Sequence, residues 1–265
     1  MGEKTTVNWT DHTHNWFWGC VKVAPECMHC YAETDSLRYG KKVFGPGSTT
    51  NRWILSEKNA KLPYKWNKEA QEAGRRVKVF TSSMSDLFEN NKQLVEVRQI
   101  AFKTIEETPW LWWQVLTKRP ENVLKMIPAS WNGILPDHMC VGTSAGIQKT
   151  ANKNIPELLN IPALVHFVSC EPMLEPTNFA PWLPYLQWMI CGGESGVDHR
   201  PFNPEWAEAL RQDCSEFNVP YFFKQHGGRF HNSGGDLLYG QEYKAFPIVF
   251  DQVPGTVQPV QASLF

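Results

Sequence analysis

Six short apolar runs constrain this chain more than any other feature. They are VKVF (77–80), WLWWQVL (110–116), MCVG (139–142), LVHFVSC (164–170), LQWMICGG (186–193) and PYFF (220–223). Each is rich in β-branched or aromatic residues and ends in small or polar ones, the profile of a strand buried on both faces of a parallel sheet. VNW (7–9) is a shorter candidate at the start. Helical stretches are expected near 92–107, 120–127, 148–160 and 204–217. Asn203-Pro204 reads as an N-cap followed by proline at the first helical position, with Trp206, Leu210 and Phe217 sharing a face. Alternating strand and helix implies a parallel sheet with right-handed crossovers. Seven such strands predict an α/β fold, a (β/α) TIM-type barrel or partial barrel, and a chain of 265 residues with 42% hydrophobic content suits one such domain over 1–265.

Two segments break the rhythm. Residues 31–76 form an insertion after the first strand, with turn signals at 45–48 and no clear strand. From Tyr31 to Lys78 there are eleven Lys/Arg against five Asp/Glu, so the insertion is basic. Residues 227–265 form a C-terminal extension, expected as a loop, a hairpin with Gly240 at its turn, and a draped end. The whole chain carries 26 Lys+Arg against 27 Asp+Glu, so bulk charge does not advertise nucleic-acid binding. The stretch 1–16 has no apolar segment of the secretory kind, and no run of about 18 apolar residues exists to span a membrane. The expected location is the cytoplasm, where thiols stay reduced, so the seven cysteines point to metal binding or burial rather than a disulfide framework.

In a parallel barrel, function collects where strands end. The predicted exits read TDHTHNWFWGC, TSSMSD, TKRP, TSAG, EPMLEP, ESGVDHR and KQHGG. Charges and hydroxyls dominate there while the strand interiors are apolar. Lys118, Arg119, Glu171, Glu194 and Lys224 should therefore converge on one rim, as the acids and bases of an active site do.

GCVKVAPECMHCYAE (19–33) follows the first strand onto that rim. Cys20, Cys27 and Cys30 have the spacing C-x6-C-x2-C, which lets three thiolates approach one metal centre. Structural zinc wants four closed ligands, and His29, His12 and His14 are candidates for the fourth. A [4Fe–4S] cluster usually takes four cysteines, so three leave one iron open to an exogenous ligand. Cys140 and Cys214 are expected in the core, and burial is also expected for Cys170 and Cys191.

The cysteine triad after the first strand of a (β/α) barrel resembles the radical S-adenosylmethionine (SAM) enzymes. Their usual spacing is C-x3-C-x2-C with an aromatic residue before the last cysteine, where this chain has His29. A closer resemblance spans nearly the whole chain. WTDHTHNWFWGCVKVAPECMHCYAE, FTSSMSDLF, LTKRPEN, SCEPMLEP, CGGESGVDHRPFNPEW and PYFFKQHGG resemble a phage and bacterial three-cysteine family of unknown function, described as radical-SAM-like. The resemblance implies that Cys20, Cys27 and Cys30 bind the cluster, and that Ser82, Ser83 and Asp86 meet the SAM ammonium group. It implies roles for Glu171 and Glu194 on ribose hydroxyls or substrate, and for Arg119, Arg200 and Lys224 on a carboxylate or phosphate. Gly192 and Gly193 would let backbone approach the cofactor. Glu171, Glu194, Lys118 and Lys224 are the candidate catalytic groups.

Two functions follow as expectations. One is a radical SAM enzyme that cleaves S-adenosylmethionine and abstracts hydrogen from a substrate, with a nucleotide or nucleic acid as a candidate. Its partners would be SAM and an electron donor such as a flavodoxin or ferredoxin. The other is a zinc-stabilised nucleic-acid-binding or modifying protein, drawing on the basic insertion and on twelve tryptophans that could stack bases.

Overall fold

Strand follows helix along most of the chain. The computed structural model describes residues 5–230 and 234–256. The elements in order are β1 (His12–His14), β2 (Phe17–Trp18), α1 (Tyr31–Arg38), β3 (Trp53–Ile54), α2 (Glu57–Ala60), α3 (Leu62–Glu72), β4 (Val77–Thr81), α4 (Val95–Glu106), β5 (Leu111–Thr117), α5 (Val123–Met126), β6 (Met139–Ser144), α6 (Gln148–Leu159), β7 (His166–Cys170), β8 (Trp188–Gly192), α7 (Pro204–Glu216) and β9 (Tyr221–Gln225).

Seven strands form one sheet in the order β1-β4-β5-β6-β7-β8-β9, and every neighbouring pair is parallel. Spatial order equals chain order, so every crossover steps the same way and the helices collect on one face. The sheet curls into a half-barrel. β1 and β9 are its two ends and do not pair with each other.

Alternation along each strand sorts the side chains into two layers. Val79, Trp113, Val141, Val168, Met189 and Phe223 face the helices and pack with Trp66, Phe102, Ile155 and Leu210. Phe80, Trp112, Phe167, Trp188 and Phe222 face inward and pack with Trp9 and Phe250. Burying each such ring contributes about 1.5–3 kcal/mol relative to exposure. Gly142 makes room in this inner layer, because a Cβ there would lie 2.4 Å from the Phe167 ring. Residues 245–250 close the bottom of the trough: the Trp112 and Trp188 indoles donate to the Phe250 and Ala245 carbonyls at 3.0 and 2.9 Å. The concave face is thus filled with aromatic rings at one end and open at the other.

The structure corrects several expectations. The first strand is His12–His14 rather than 7–9; Trp9 is a plug in the inner layer instead of a ladder residue. The buried stripe of α7 is Ala207, Leu210 and Cys214; Leu210 is buried as expected and the half-buried Trp206 packs against the core, but Phe217 is exposed. Asn203 does cap that helix, its Oδ1 accepting from the Glu205 amide at 3.0 Å. Half of the insertion is helical (α1, α2 and α3), and it contains β3, which pairs with β2. Its surplus charge is partly met from outside, by Glu89 paired with the buried Arg52 and by Asp137 paired with Arg76. The expected C-terminal hairpin shrinks to one bridge, Leu238 to Gln241, around Tyr239 and Gly240, both at positive φ. Residues 231–233 and 257–265 of the extension lie outside the described residues. No helix among the described residues is long and apolar enough to cross a membrane.

Candidate active site at the open end of the sheet

The alternation that turns aromatic rings inward near the strand starts turns polar groups inward at their ends. Ser82, Lys118, Ser144, Ser169, Glu171 and Lys224 line one cavity whose floor includes Trp9 and Phe80. Cys20, Cys27 and Cys30 line the same cavity. The three thiols are free; Cys27 is buried and the other two are half-buried.

Geometry at Gly19 brings the cysteine loop onto the rim. Gly19 pairs with Ser85 in an isolated parallel bridge beyond the end of the β1–β4 ladder. Its φ is 104°, and a Cβ there would lie 2.1 Å from the Val43 carbonyl oxygen, so only glycine fits. The loop then turns through a 3-10 segment, Pro25–Cys27, and Cys30 stands at the start of α1.

Four side chains pin the loop. Arg119 Nη2 donates to the Val21 carbonyl at 2.7 Å, and Lys22 Nζ to the Met28 carbonyl at 3.0 Å. Arg200 Nη1 donates to the Pro25 carbonyl at 3.1 Å. Glu26, between Pro25 and Cys27, is buried; its Oε1 accepts from the Gly146 amide at 2.8 Å and from the Thr150 hydroxyl at the start of α6. Glu26 Oε2 is buried with no hydrogen-bond partner.

Burial raises the Cys20 thiol well above its ordinary value; Asp86 and Cys30 add to this and Arg119 opposes it. Burial also raises Cys30, against backbone hydrogen bonds and Lys118. Lys118 answers from the other side. Burial disfavours its ammonium, but Cys27, Cys30, Cys20 and Glu26 outweigh that and raise its pKa. Its Nζ also donates to Ser144 Oγ at 3.1 Å.

The other residues expected at the site divide into two groups. Glu171 and Lys224 face the cavity as an ion pair at 2.9 Å, and Ser169 Oγ donates to the second Glu171 oxygen at 3.0 Å. Gly192 leaves the space for that carboxylate, since a Cβ there would be 3.0 Å from Glu171 Oε1. Ser82 holds φ at 74° and lines the cavity. Ser83 lines it too, with Oγ accepting from Asn15 at 2.7 Å.

Asp86 lines the cavity but is occupied. It accepts four hydrogen bonds, from Thr117 Oγ1, the Phe88 and Lys118 amides, and Arg119 Nη1 at 2.6 Å. Asp86 and Arg119 therefore organise the rim, each satisfied by protein partners.

Glu194, Arg200, Gly192 and Gly193 do not line this cavity. Glu194 accepts three hydrogen bonds from Arg200, from its backbone amide and Nε at 2.9 Å and from Nη2 at 2.5 Å, and faces His29 Nδ1 at 3.3 Å. Burial works against the Glu194 carboxylate, yet the Arg200 hydrogen bonds hold its pKa below the usual range. Gly193 sits against the chain after β9: a Cβ there would lie 2.0 Å from the His226 carbonyl oxygen.

The histidines considered as metal ligands are placed elsewhere. His12 stacks on Trp66 with ring centroids 4.3 Å apart, and His14 meets Trp16, Trp66 and Trp113 edge-on in the helix-facing layer. Among the described residues no group of three His, Cys, Asp or Glu side chains is drawn together closely enough to hold a metal ion. Cys170 and Cys191 lie opposite each other on β7 and β8, fully buried against the helices. Cys140 and Cys214 are buried as expected.

Glu26 and Asn15 were not expected at the site. Asn15 is fully buried, and its Oδ1 accepts from the Met84 amide and Ser85 Oγ, clamping the β4 exit to the β1 exit. The partners of Glu26 lie 120 and 124 residues away in sequence. Its one sequence signal is its place between two cysteines.

These features define an α/β protein with a curled parallel sheet whose polar, thiol-lined cavity opens where the strands end. Residues 4–247 match the family model described as "Protein of unknown function (DUF5131)", and the chain belongs to that family. No curated protein and no solved structure matches the chain.

Proposed function

We propose that the protein is a radical SAM-type enzyme. Cys20, Cys27 and Cys30 would hold a [4Fe–4S] cluster, and S-adenosylmethionine would occupy the cavity beside it. One observation carries the reading: three free thiols share one wall of a cavity at the strand ends with Lys118, Ser82 and the Glu171–Lys224 pair. The donor chemistry fits, since three thiols with no fourth cysteine on the wall match a cluster with one iron left open. When bound, the group supplies one-electron cleavage of SAM and the resulting hydrogen abstraction.

The chain's own residues supply the setting. Lys118 would balance the charge of the three thiolates once they hold the cluster. Ser82 and Ser83 offer hydroxyls to an ammonium group. Glu171 and Lys224 present one charge of each sign, suited to ribose hydroxyls and to a carboxylate or phosphate. The aromatic floor of Trp9 and Phe80 excludes water from below. The substrate we favour is a nucleotide or nucleic acid, the electron donor is of the flavodoxin or ferredoxin kind, and the site of action is the cytoplasm.

The zinc-stabilised reading has less support. Of its candidate fourth ligands, His12 and His14 pack against tryptophans and His29 faces Glu194. Of the twelve tryptophans, eight are buried and four half-buried, so none stands exposed as a stacking platform.

Anaerobic reconstitution with iron and sulfide tests the proposal. The expected result is a brown protein with about four irons, which converts SAM to 5′-deoxyadenosine under reduction. A Cys20→Ala/Cys27→Ala/Cys30→Ala variant should lose both. A colourless protein that keeps stoichiometric zinc through the same treatment would overturn it.

A further inference from the structure

A second cavity, of about 520 Å³, adjoins the first and shares with it Val21, Val23, Lys118 and Arg119. Its size falls within the range of small-molecule sites, roughly 300–1,000 Å³. The β4 exit supplies Asn91, Lys92 and Gln93 to its walls, the β5 exit supplies Glu121 and Asn122, and α6 supplies Lys153.

The polar groups here are unevenly satisfied. Lys92 and Lys153 have no acidic partner among the described residues. Arg119 is held by Asp86 and Val21, and Lys118 Nζ by Ser144, so neither balances charge in this cavity. Glu89 is paired to the buried Arg52. Glu121 remains, and its Oε2 is buried with no donor. Asn91 is 8% exposed; its Oδ1 accepts from the Gln93 amide, while its Nδ2 is buried with no acceptor. Leaving such an amide unpaired is unfavourable. A ligand that enters with an acceptor recovers that cost once the wall adjusts to meet it.

The cavity therefore presents two free ammonium groups, and its wall holds an unsatisfied amide donor and an unsatisfied carboxylate oxygen that are closed to solvent until the wall moves. We infer that it binds a phosphorylated sugar: the phosphate between Lys92 and Lys153, with Asn91 as a further donor, and a sugar hydroxyl donating to Glu121. This goes beyond the proposed chemistry of the cysteine cavity and does not require a cluster, because the binding is read without iron.

Isothermal titration calorimetry on the full chain at low salt tests it, with ribose 5-phosphate, ribose, inorganic phosphate and a nucleoside 5′-monophosphate as probes. Ribose 5-phosphate or the nucleoside monophosphate should bind at least about tenfold tighter than ribose, a difference of about 1.4 kcal/mol. A Lys92→Gln/Lys153→Gln variant should lose that difference; both side chains are exposed, so the fold is expected to survive. Glu121→Gln should weaken ribose 5-phosphate but leave inorganic phosphate unchanged. Equal affinity for ribose and its phosphate would overturn the assignment, as would binding indifferent to the double lysine variant. Tighter, lysine-dependent binding of a single-stranded oligonucleotide than of any monophosphate would overturn the small-ligand class and point to a nucleic-acid strand.

Discussion

Arg119 Nη1 donates to Asp86 Oδ2 at 2.6 Å while its Nη2 donates to the Val21 carbonyl at 2.7 Å. One guanidinium thus ties the β4 exit to the cysteine loop, and both partners of the ion pair are under a tenth exposed. Arg119→Met should leave Asp86 as an uncompensated buried charge and destabilise the fold by about 3–5 kcal/mol. Urea unfolding measures this. Asp86→Asn/Arg119→Met should recover part of the loss, and a double variant as unstable as the single one would count against the pair.

Glu26 should matter through its acceptor atom. Glu26→Gln keeps an oxygen for the Gly146 amide and Thr150, whereas Glu26→Ala strands both donors at a cost of about 1–3 kcal/mol. The alanine variant should also take up less iron on reconstitution, because Cys27 follows directly. Iron content equal in the two variants would show that the anchor does not position the loop.

Gly19→Ala combines a positive φ with a clash against backbone. It should lower stability by more than Gly133→Ala, where φ is 77° but a Cβ would meet nothing within 4 Å. The open position should cost about 1–2 kcal/mol. Paired thermal melts compare them.

His14 gives the stability a pH dependence. Burial lowers its pKa from 6.5 to about 3. Between those values the unfolded chain binds a proton that the folded chain refuses. Its contribution is therefore complete above pH 6.5 and shrinks as pH falls toward 3, by up to about 1.4 kcal/mol per pH unit. His14→Phe, within the ring cluster of Trp16, Trp66 and Trp113, should flatten the stability curve between pH 6.5 and about 4. Denaturation midpoints across that range check it.

Much of the sheet was legible because a strand buried on two faces has to be apolar along its length. WLWWQVL and LQWMICGG announce β5 and β8 to within two residues at each end. β1 was not legible. His12, Thr13 and His14 form a sheet edge, and the apolar residues just before them are spent on the plug instead. Helix α1 hid for a related reason: it buries only Ala32 and Ser36, too little to impose a period. At the site, reading the strand exits correctly brought Lys118, Glu171 and Lys224 to one cavity with the cysteines. It could not show that Glu194 and Arg200 are taken up by each other, because pairing across a loop leaves no pattern in sequence.

The strand order has a consequence for synthesis. In the seven-stranded sheet each strand after β1 joins the outer edge of a sheet whose earlier members have already left the ribosome, and none has to be threaded between two that are paired. The sheet can therefore zip in the direction of translation, with its growing edge always the newest strand. The residues that seal the bottom, 245–250, emerge after the last strand. Until they arrive, Trp112 and Trp188 lack the carbonyls their indoles bond, and the nascent half-barrel stays uncapped at the end away from its cysteines.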